Sequence, residues 1–239
     1  MKLMELLYEG KAKRIYRTER EGEFLVSYKD SATAFNGEKK TEITGKGRLN
    51  NEISVLIFEK LKEAGIANHL IRKVSETEQL VEEVTIIPLE VVVRNTVAGS
   101  MAKRLGIKEG TPIPEPIVEF YYKDDALGDP LITESHIKLL NAATPEQTEE
   151  LKTKALKVND VLIPYFAERN VRLIDFKLEF GLRKDGTILL ADEISPDTCR
   201  LWDKETNEKF DKDVFRRDLG SLTEAYEEIL KRLGGPAHV

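Results

Sequence analysis

The 239-residue chain predicts an α+β fold, on three observations. Short apolar and aromatic runs separated by glycine turns crowd its N-terminal part, a capped amphipathic helix lies in its second half, and a long alternating strand with a hairpin follows that helix directly. Strands first and mixed elements later place a boundary between two lobes near residues 80 to 90. We take 1–85 as a β-rich N-terminal lobe and 86–239 as a larger mixed lobe.

Residues 3–8, 12–17 and 24–28 are separated by Glu9-Gly10 and Glu21-Gly22, the pattern of an antiparallel meander. Residues 29–47 carry many charges, little periodicity and glycines at 37, 45 and 47, which predicts a functional or mobile loop. Leu49, Ile53, Leu56, Ile57, Leu61 and Ala64 recur at helical spacing before Gly65, so a helix is expected over 49–64. Strands are expected over 69–74, 79–87 and 90–94, then a short helix over 100–105 ended by Gly106. Prolines at 112, 114 and 116 predict a stiff extended linker that resists helix and central strand alike. Thr144-Pro145-Glu146-Gln147 is a capping box with proline at the first helical position, and Leu151, Ala155, Val158, Leu162 and Phe166 form one apolar stripe. Strands over 171–182 and 187–195 flank Lys184-Asp185-Gly186, and Ser221 with Glu224 opens a last helix that Gly234 closes.

The formal charge is −6, and it is unevenly placed: residues 1–120 hold 19 charges of each sign, while 12 of the 13 aspartates fall after them. Net acidity argues against sequence-independent nucleic-acid binding, which needs a clustered basic surface, but leaves room for a local basic site. Cys199 stands alone, so no intrachain disulfide forms, and with His69, His136 and His238 it supplies too few soft ligands for a structural zinc site. Any functional metal should be oxygen-ligated. No apolar stretch approaches the ~20 residues of a membrane span, and Met1 to Tyr8 lacks the plan of a signal peptide. The expected setting is the cytoplasm, with no membrane partner.

Chemistry concentrates at four places. In the strand over 171–182, Ile174, Phe176, Leu178 and Phe180 share a core face, and Asp175, Lys177 and Glu179 share the other. A two-residue Asp185-Gly186 turn would set Glu179 opposite Asp192, with Cβ atoms about 5 Å apart. That arrangement reads either as a pair of magnesium ligands or as a solvated acidic pair. The following loop, Ser195-Pro196-Asp197-Thr198-Cys199-Arg200, offers Arg200 as a phosphate or carboxylate clamp, with an Arg-Asp surface pair as the alternative. Glu9-Gly10-Lys11-Ala12-Lys13 puts two lysines on one side of an extended segment just past a glycine, which suits a polyphosphate as well as solvent. Arg94-Asn95 to Gly99-Ser100 leaves a strand and enters a helix, an arrangement suited to an anion. No P-loop exists, and Gly45-Lys46-Gly47 lacks the third glycine of a dinucleotide fingerprint. His69 and His136 read as structural and Cys199 as a spectator.

Together, Tyr8-Glu9-Gly10-Lys11-Ala12-Lys13, Val91-Val92-Val93-Arg94-Asn95 with Ala98-Gly99-Ser100, Asp175-Phe176-Lys177-Leu178-Glu179-Phe180-Gly181, Asp192-Glu193-Ile194-Ser195-Pro196-Asp197, Arg200-Leu201-Trp202-Asp203 and Asp211-Lys212-Asp213 with Phe215-Arg216 resemble the SAICAR synthetase family of purine biosynthesis. The resemblance runs in order from Leu7 to Leu233. It implies a ligase that joins L-aspartate to the carboxylate of CAIR with ATP and magnesium, a two-lobe kinase-like or ATP-grasp-like fold with ATP in the cleft, and a homodimer. By matching motif it implies ATP-phosphate contacts at Gly10, Lys11, Ala12 and Lys13, and an adenine site on the backbone of Thr85, Ile86 and Ile87. It further implies magnesium-side carboxylates at Glu179 and Asp192, and ribonucleotide contacts at Arg94, Ser100, Asp175, Lys177, Arg200 and Arg216. Lys177, Asp175 and Asp197 are the expected catalytic groups, Lys177 by charge neutralisation and the aspartates as candidate bases. The rival expectations are a small-molecule kinase and a non-catalytic nucleotide-sensing module.

Overall fold

A computed structural model of the chain describes residues 5–34 and 38–236, so Leu3, Gly37 and His238 lie outside the described residues. The meander is present. Strands β1 (Leu6–Glu9), β2 (Lys13–Arg17) and β3 (Glu23–Tyr28) pair antiparallel, and β6 (Leu70–Lys73) and β7 (Glu78–Glu82) complete a sheet ordered β1-β2-β3-β7-β6. In the segment 29–47, expected as loop, β4 (Ser31–Ala34) and β5 (Lys39–Glu42) instead pair antiparallel, and Lys46 and Gly47 already belong to α1 (Lys46–Glu63). The helix starts ahead of its apolar stripe because its cap is distant in sequence. Asp30 accepts from the backbone N–H of Gly45 at 3.2 Å and of Gly47 at 2.9 Å.

A second sheet has the order β10-β9-β8-β11-β12, built from β8 (Thr85–Thr96), β9 (Pro112–Tyr122), β10 (Leu131–Ile132), β11 (Val171–Leu182) and β12 (Ile188–Ala191), with β13 (Cys199–Asp203) also on β11. The strands expected over 79–87 and 90–94 divide elsewhere: the chain breaks at Glu83-Val84, and β8 then runs through Pro88. Pairing with β11 slips between Glu179 and Gly181, and pairing with β9 starts only at Leu89, so Pro88 occupies a bulge where its missing N–H costs no ladder bond. The proline segment is no linker but the first half of β9. β10 pairs only with Phe120 and Tyr121, so that half is sheet edge, and prolines two apart withdraw donors from one edge alone.

Helix α2 (Gly99–Leu105) ends at Gly106 in the left-handed region (φ 65), as its glycine predicts. Helix α3 (Glu134–Leu140), absent from the sequence-based expectations although Thr133 caps it, precedes α4 (Pro145–Ala167). Both capping-box bonds of α4 form: Gln147 N–H donates to Thr144 Oγ1 at 3.2 Å, and Thr144 N–H to Gln147 Oε1 at 2.9 Å. Its stripe of Leu151, Ala155, Val158, Leu162 and Phe166 is fully buried against β8 and β11. Helices α5 (Asp213–Arg216) and α6 (Leu222–Arg232) close the chain, α6 capped by Ser221 as expected.

The β11–β12 turn differs from expectation by one residue. Arg183 N–H donates to the Thr187 carbonyl at 2.9 Å around Lys184-Asp185-Gly186, so Glu179 pairs with Ala191 and not with Asp192. Gly186 in the left-handed region (φ 86) permits the three-residue turn.

One hydrophobic core runs from α1 through β8, β11, β12 and α4 to α6, while the first sheet adds a small cluster of Val26, Tyr28 and Val81. Helix α1 thus contributes to the core of the second sheet while its own closest neighbours are α6 and strands β3, β4, β6 and β7. Among the described residues no helix is long and apolar enough to cross a membrane. Leu162→Ala should destabilise the fold by about 2–5 kcal/mol, read as a lowered urea midpoint at unchanged slope; a midpoint equal to wild type would place α4 outside the cooperative core.

Candidate active site

The predicted two faces of β11 are real. Phe176, Leu178 and Phe180 enter the main core, whereas Ile174 joins a separate cluster with Ala98 and Trp202. The polar face stands against β8, whose register sets Asp175 beside Arg94, Lys177 beside Val92 and Glu179 beside Glu90. Two carboxylates do face each other across strands, but the partner of Glu179 is Glu90. A lysine relieves the repulsion: Lys177 Nζ donates to Glu90 at 2.6 Å and to Glu179 at 3.1 Å, and Lys123 donates to the same Glu179 oxygen at 2.8 Å.

Above this face lies a cavity of about 780 Å³, walled by the β1–β2 turn, by Glu90, Lys123, Lys177 and Glu179, and by Asp192, Glu193 and Asp197. It adjoins a second cavity of about 330 Å³ lined by Arg94, Asp175, Arg200 and Arg216. Lys177 lines both.

At the first cavity the Gly10 N–H donates to the Lys13 carbonyl at 2.8 Å, a tight turn that brings Lys11 and Lys13 to the rim. Lys11 meets Asp125 at 2.7 Å in an exposed pair. Lys13 pairs with Asp192 and, at 3.0 Å, with Glu193. Burial opposes charge on both Lys13 and Asp192, but the opposite charges outweigh it, holding the ammonium well above and the carboxylate well below their ordinary values. Asp192 has φ 57; this left-handed residue takes its carboxylate into the cavity that Glu179 also lines, despite the shifted register.

At the second cavity Arg94 donates to Asp175 at 2.8 Å, to Glu119 at 2.7 Å and to Ser100 at 3.2 Å. Arg200 donates to Asp175 at 3.0 Å and to Asp213 at 3.0 Å, and Arg216 to Asp213 at 2.7 Å. Gly99, at φ 54, is the floor under Arg200: a Cβ there would overlap the guanidinium. The Gly99-Ser100 segment thus makes room for an arginine, and Ser100 supports Arg94 rather than lining either cavity.

Between the cavities Asp197 accepts from Lys46 at 2.6 Å and from the Tyr226 hydroxyl at 2.6 Å, with Lys212 at 3.6 Å. Burial works against its charge, but Lys212 and Lys46 hold the carboxylate far below its ordinary range. This setting is at odds with the expected proton acceptor, since both oxygens are engaged and the group is a very weak base. Asp175, with bonds from two arginines, is likewise engaged.

Thr85, Ile86 and Ile87 do not line the cavities. Their backbone pairs with β11 on one side, and β9 reaches only to Leu89, which leaves the other side without a strand partner among the described residues. His69 and Cys199 are buried; burial lowers the His69 pKa to about 4 and raises that of Cys199. Sequence reasoning missed Lys46, Glu90, Lys123, Glu193, Lys212 and Tyr226. Lys46 sits in the triplet that fails as a fingerprint, and only its complete burial marks it.

Among the described residues no three His, Cys, Asp or Glu side chains cluster as a protein-only metal cage. Glu179 and Asp192 offer two hard oxygen donors on the first cavity, which fits an ion that takes its other ligands from phosphate and water.

Residues 6–233 match the SAICAR synthetase family model. The chain belongs to the SAICAR synthetase family. A phosphoribosylaminoimidazole-succinocarboxamide synthase from Bacillus cytotoxicus is 70% identical over 239 residues, the whole of both chains. The crystal structure of the synthase from Ehrlichia chaffeensis superposes with a TM-score of 0.95 at 46% identity, over 98% of this chain and 100% of that one. A SAICAR synthetase in complex with ADP superposes at 0.93 and 49% identity, over 97% and 99%. This is the SAICAR synthetase fold, of mixed α and β content.

One buried carboxyl outside both cavities is poised near neutrality. Asp211 accepts from the backbone N–H groups of Leu201 at 2.9 Å and Asp213 at 2.8 Å, yet burial and then the Asp213 charge push it up to about 7. A carboxyl raised from its ordinary 3.8 stabilises the fold fully below that value and loses the contribution as pH rises through about 7. In Asp211→Asn this component should vanish from urea midpoints measured between pH 4 and 8; an unaltered slope would show that Asp211 titrates normally.

Proposed function

We propose that this SAICAR synthetase ligates L-aspartate to the carboxylate of CAIR, giving SAICAR, ADP and phosphate in purine biosynthesis through an acyl phosphate. One observation carries the proposal: two adjoining cavities, one lined by Lys13 and the other by Arg94, Arg200 and Arg216, share a cationic boundary of Lys11, Lys177 and Lys212. A family relative in complex with ADP supports nucleotide use.

Amide formation from a carboxylate needs a better leaving group than hydroxide, and phosphorylation by ATP supplies one. Gly10, Lys11, Ala12 and Lys13 bind the phosphates. The side of the Thr85, Ile86 and Ile87 backbone that faces away from β11 reads the adenine edge. The two sheets, of residues before and after the break at Glu83-Val84, act as two lobes around the nucleotide in the kinase-like or ATP-grasp-like manner. Arg94, Arg200 and Arg216 hold the ribonucleotide, with Ser100 and Asp175 fixing the guanidinium groups. Lys177, between the cavities, neutralises the carboxylate and the phosphoryl group it receives, so positioning and electrostatics carry the rate. Asp197 orients Lys46 and Lys212. Glu179 and Asp192 would hold magnesium, which neutralises phosphate charge when bound. A homodimer is what the family resemblance implies.

With ATP, CAIR and aspartate the protein should form the amide together with ADP and phosphate in equal amounts, read by product chromatography. ATP turnover that ignores aspartate would reject the ligase and favour a kinase. Glu179→Gln and Asp192→Asn should each abolish magnesium-dependent turnover while keeping the wild-type circular dichroism; activity retained in both would remove these residues from the site.

A further inference from the structure

Asp192 holds a left-handed backbone conformation, φ 57, one that aspartate tolerates better than most L residues. Its side chain pairs with Lys13 and lines the first cavity. Its peptide is held by a side chain from outside the cavity. The ring of His69 is buried and stands 3.2 Å from the Asp192 carbonyl through Nε2. A carbonyl oxygen only accepts, so Nε2 carries the hydrogen and donates. Phe58 packs edge-on against the ring, with centroids 5.4 Å apart at 70°, and limits its rotation.

The backbone of His69 is also fixed on both sides. Its N–H donates to the Leu190 carbonyl at 2.9 Å in β12, and its carbonyl accepts from Glu82 N–H at 2.7 Å at the end of β7. His69 therefore sits where a strand of the first sheet meets the second sheet. Its side chain reaches the peptide that presents the Asp192 carboxylate to Lys13, a residue of the first sheet.

We propose that His69 is a positioning residue for the nucleotide site: its Nε2–H holds the Asp192 carbonyl, and so aims the Asp192 carboxylate at Lys13 and at the metal-bound phosphates. The proposal rests on the placement of Asp192 in the nucleotide site. Loss of an outer-shell partner at a metal site typically costs about 10–100-fold in metal affinity or activity, and here the loss should appear in magnesium-nucleotide binding and not in ribonucleotide binding.

The test is calorimetric titration of the full chain with ADP in the presence and absence of magnesium, alongside KM for ATP and for CAIR. His69→Phe keeps a ring against Phe58 and loses the donor; His69→Gln keeps a donor. We expect His69→Phe to weaken magnesium-ADP binding by about tenfold with KM for CAIR within about twofold, and His69→Gln to restore the affinity. In an Asp192→Ala background His69→Phe should add nothing, since both changes remove one function. Asp192→Ala with wild-type ADP affinity would reject the site assignment itself. Weakened binding in Asp192→Ala but none in a folded His69→Phe would overturn the role of His69 alone, as would equal losses for ADP and CAIR. If His69→Phe does not fold, His69→Leu against His69→Gln makes the same comparison, and unfolding of every donor-less variant would assign His69 to stability and overturn the proposal.

Discussion

The antiparallel pairing of β8 with β11 is the constraint on which the site depends. It fixes Asp175 against Arg94 and Glu179 against Glu90, and so places four charges on one sheet face before any other element arrives. A buried carboxylate without a partner is costly, and removing one member of a buried pair typically costs about 3–5 kcal/mol. The face is tolerable because Lys177 stands on it between the carboxylates, and further cations reach it from elsewhere, Lys123 from the end of β9 and Arg200 from β13. The polar site and the sheet that carries it are thus one cooperative object. The apolar side of the same strands, packed on α4, keeps the register from slipping, because a one-residue slip would exchange the faces.

The uneven charge of the chain takes on meaning in this frame. Lys13 and Lys46 come from the charge-balanced first half, while Asp192, Glu193 and Asp197 come from the acidic second half, and they meet at 3.0 Å or closer. The acid surplus is partly a set of partners for cations delivered by the other sheet and by α1. Electrostatic attraction therefore joins the halves as well as lining the cavity, in addition to the core that α1 shares with α6.

Much of this was legible in the residues, and the misses have physical causes. The two faces of β11, the capped α4 and the meander follow from local periodicity and caps, and all are present. The hairpin register was off by one because a left-handed glycine permits a three-residue turn as well as a two-residue one, a choice that spacing does not decide. Yet Asp192 still reaches the cavity through its own left-handed backbone. Lys46 and the early start of α1 were illegible for a different reason: their partners, Asp197 and Asp30, are remote in sequence. Glu90 and Lys123 carry no motif of their own, and only strand pairing reveals them.

The two lysines of the β1–β2 turn, alike in sequence, differ in what an anion must displace. Lys13 is mostly buried, with side-chain exposure of 15%, and bonds two carboxylates that are themselves fixed. Lys11 is half exposed and holds Asp125, which is 69% exposed. An exposed pair of that kind is worth about 0–1 kcal/mol, so an arriving phosphate can take Lys11 from Asp125 at little cost. Lys13 could change partners only by stranding Asp192 and Glu193. The structure therefore separates a fixed cation, which presets the field of the cavity, from an exchangeable one at its mouth. Under the proposed nucleotide placement, the preset field needs little reorganisation when charge develops on a transferred phosphoryl group, and the exchangeable contact is the one that entering nucleotide and leaving product would make and break.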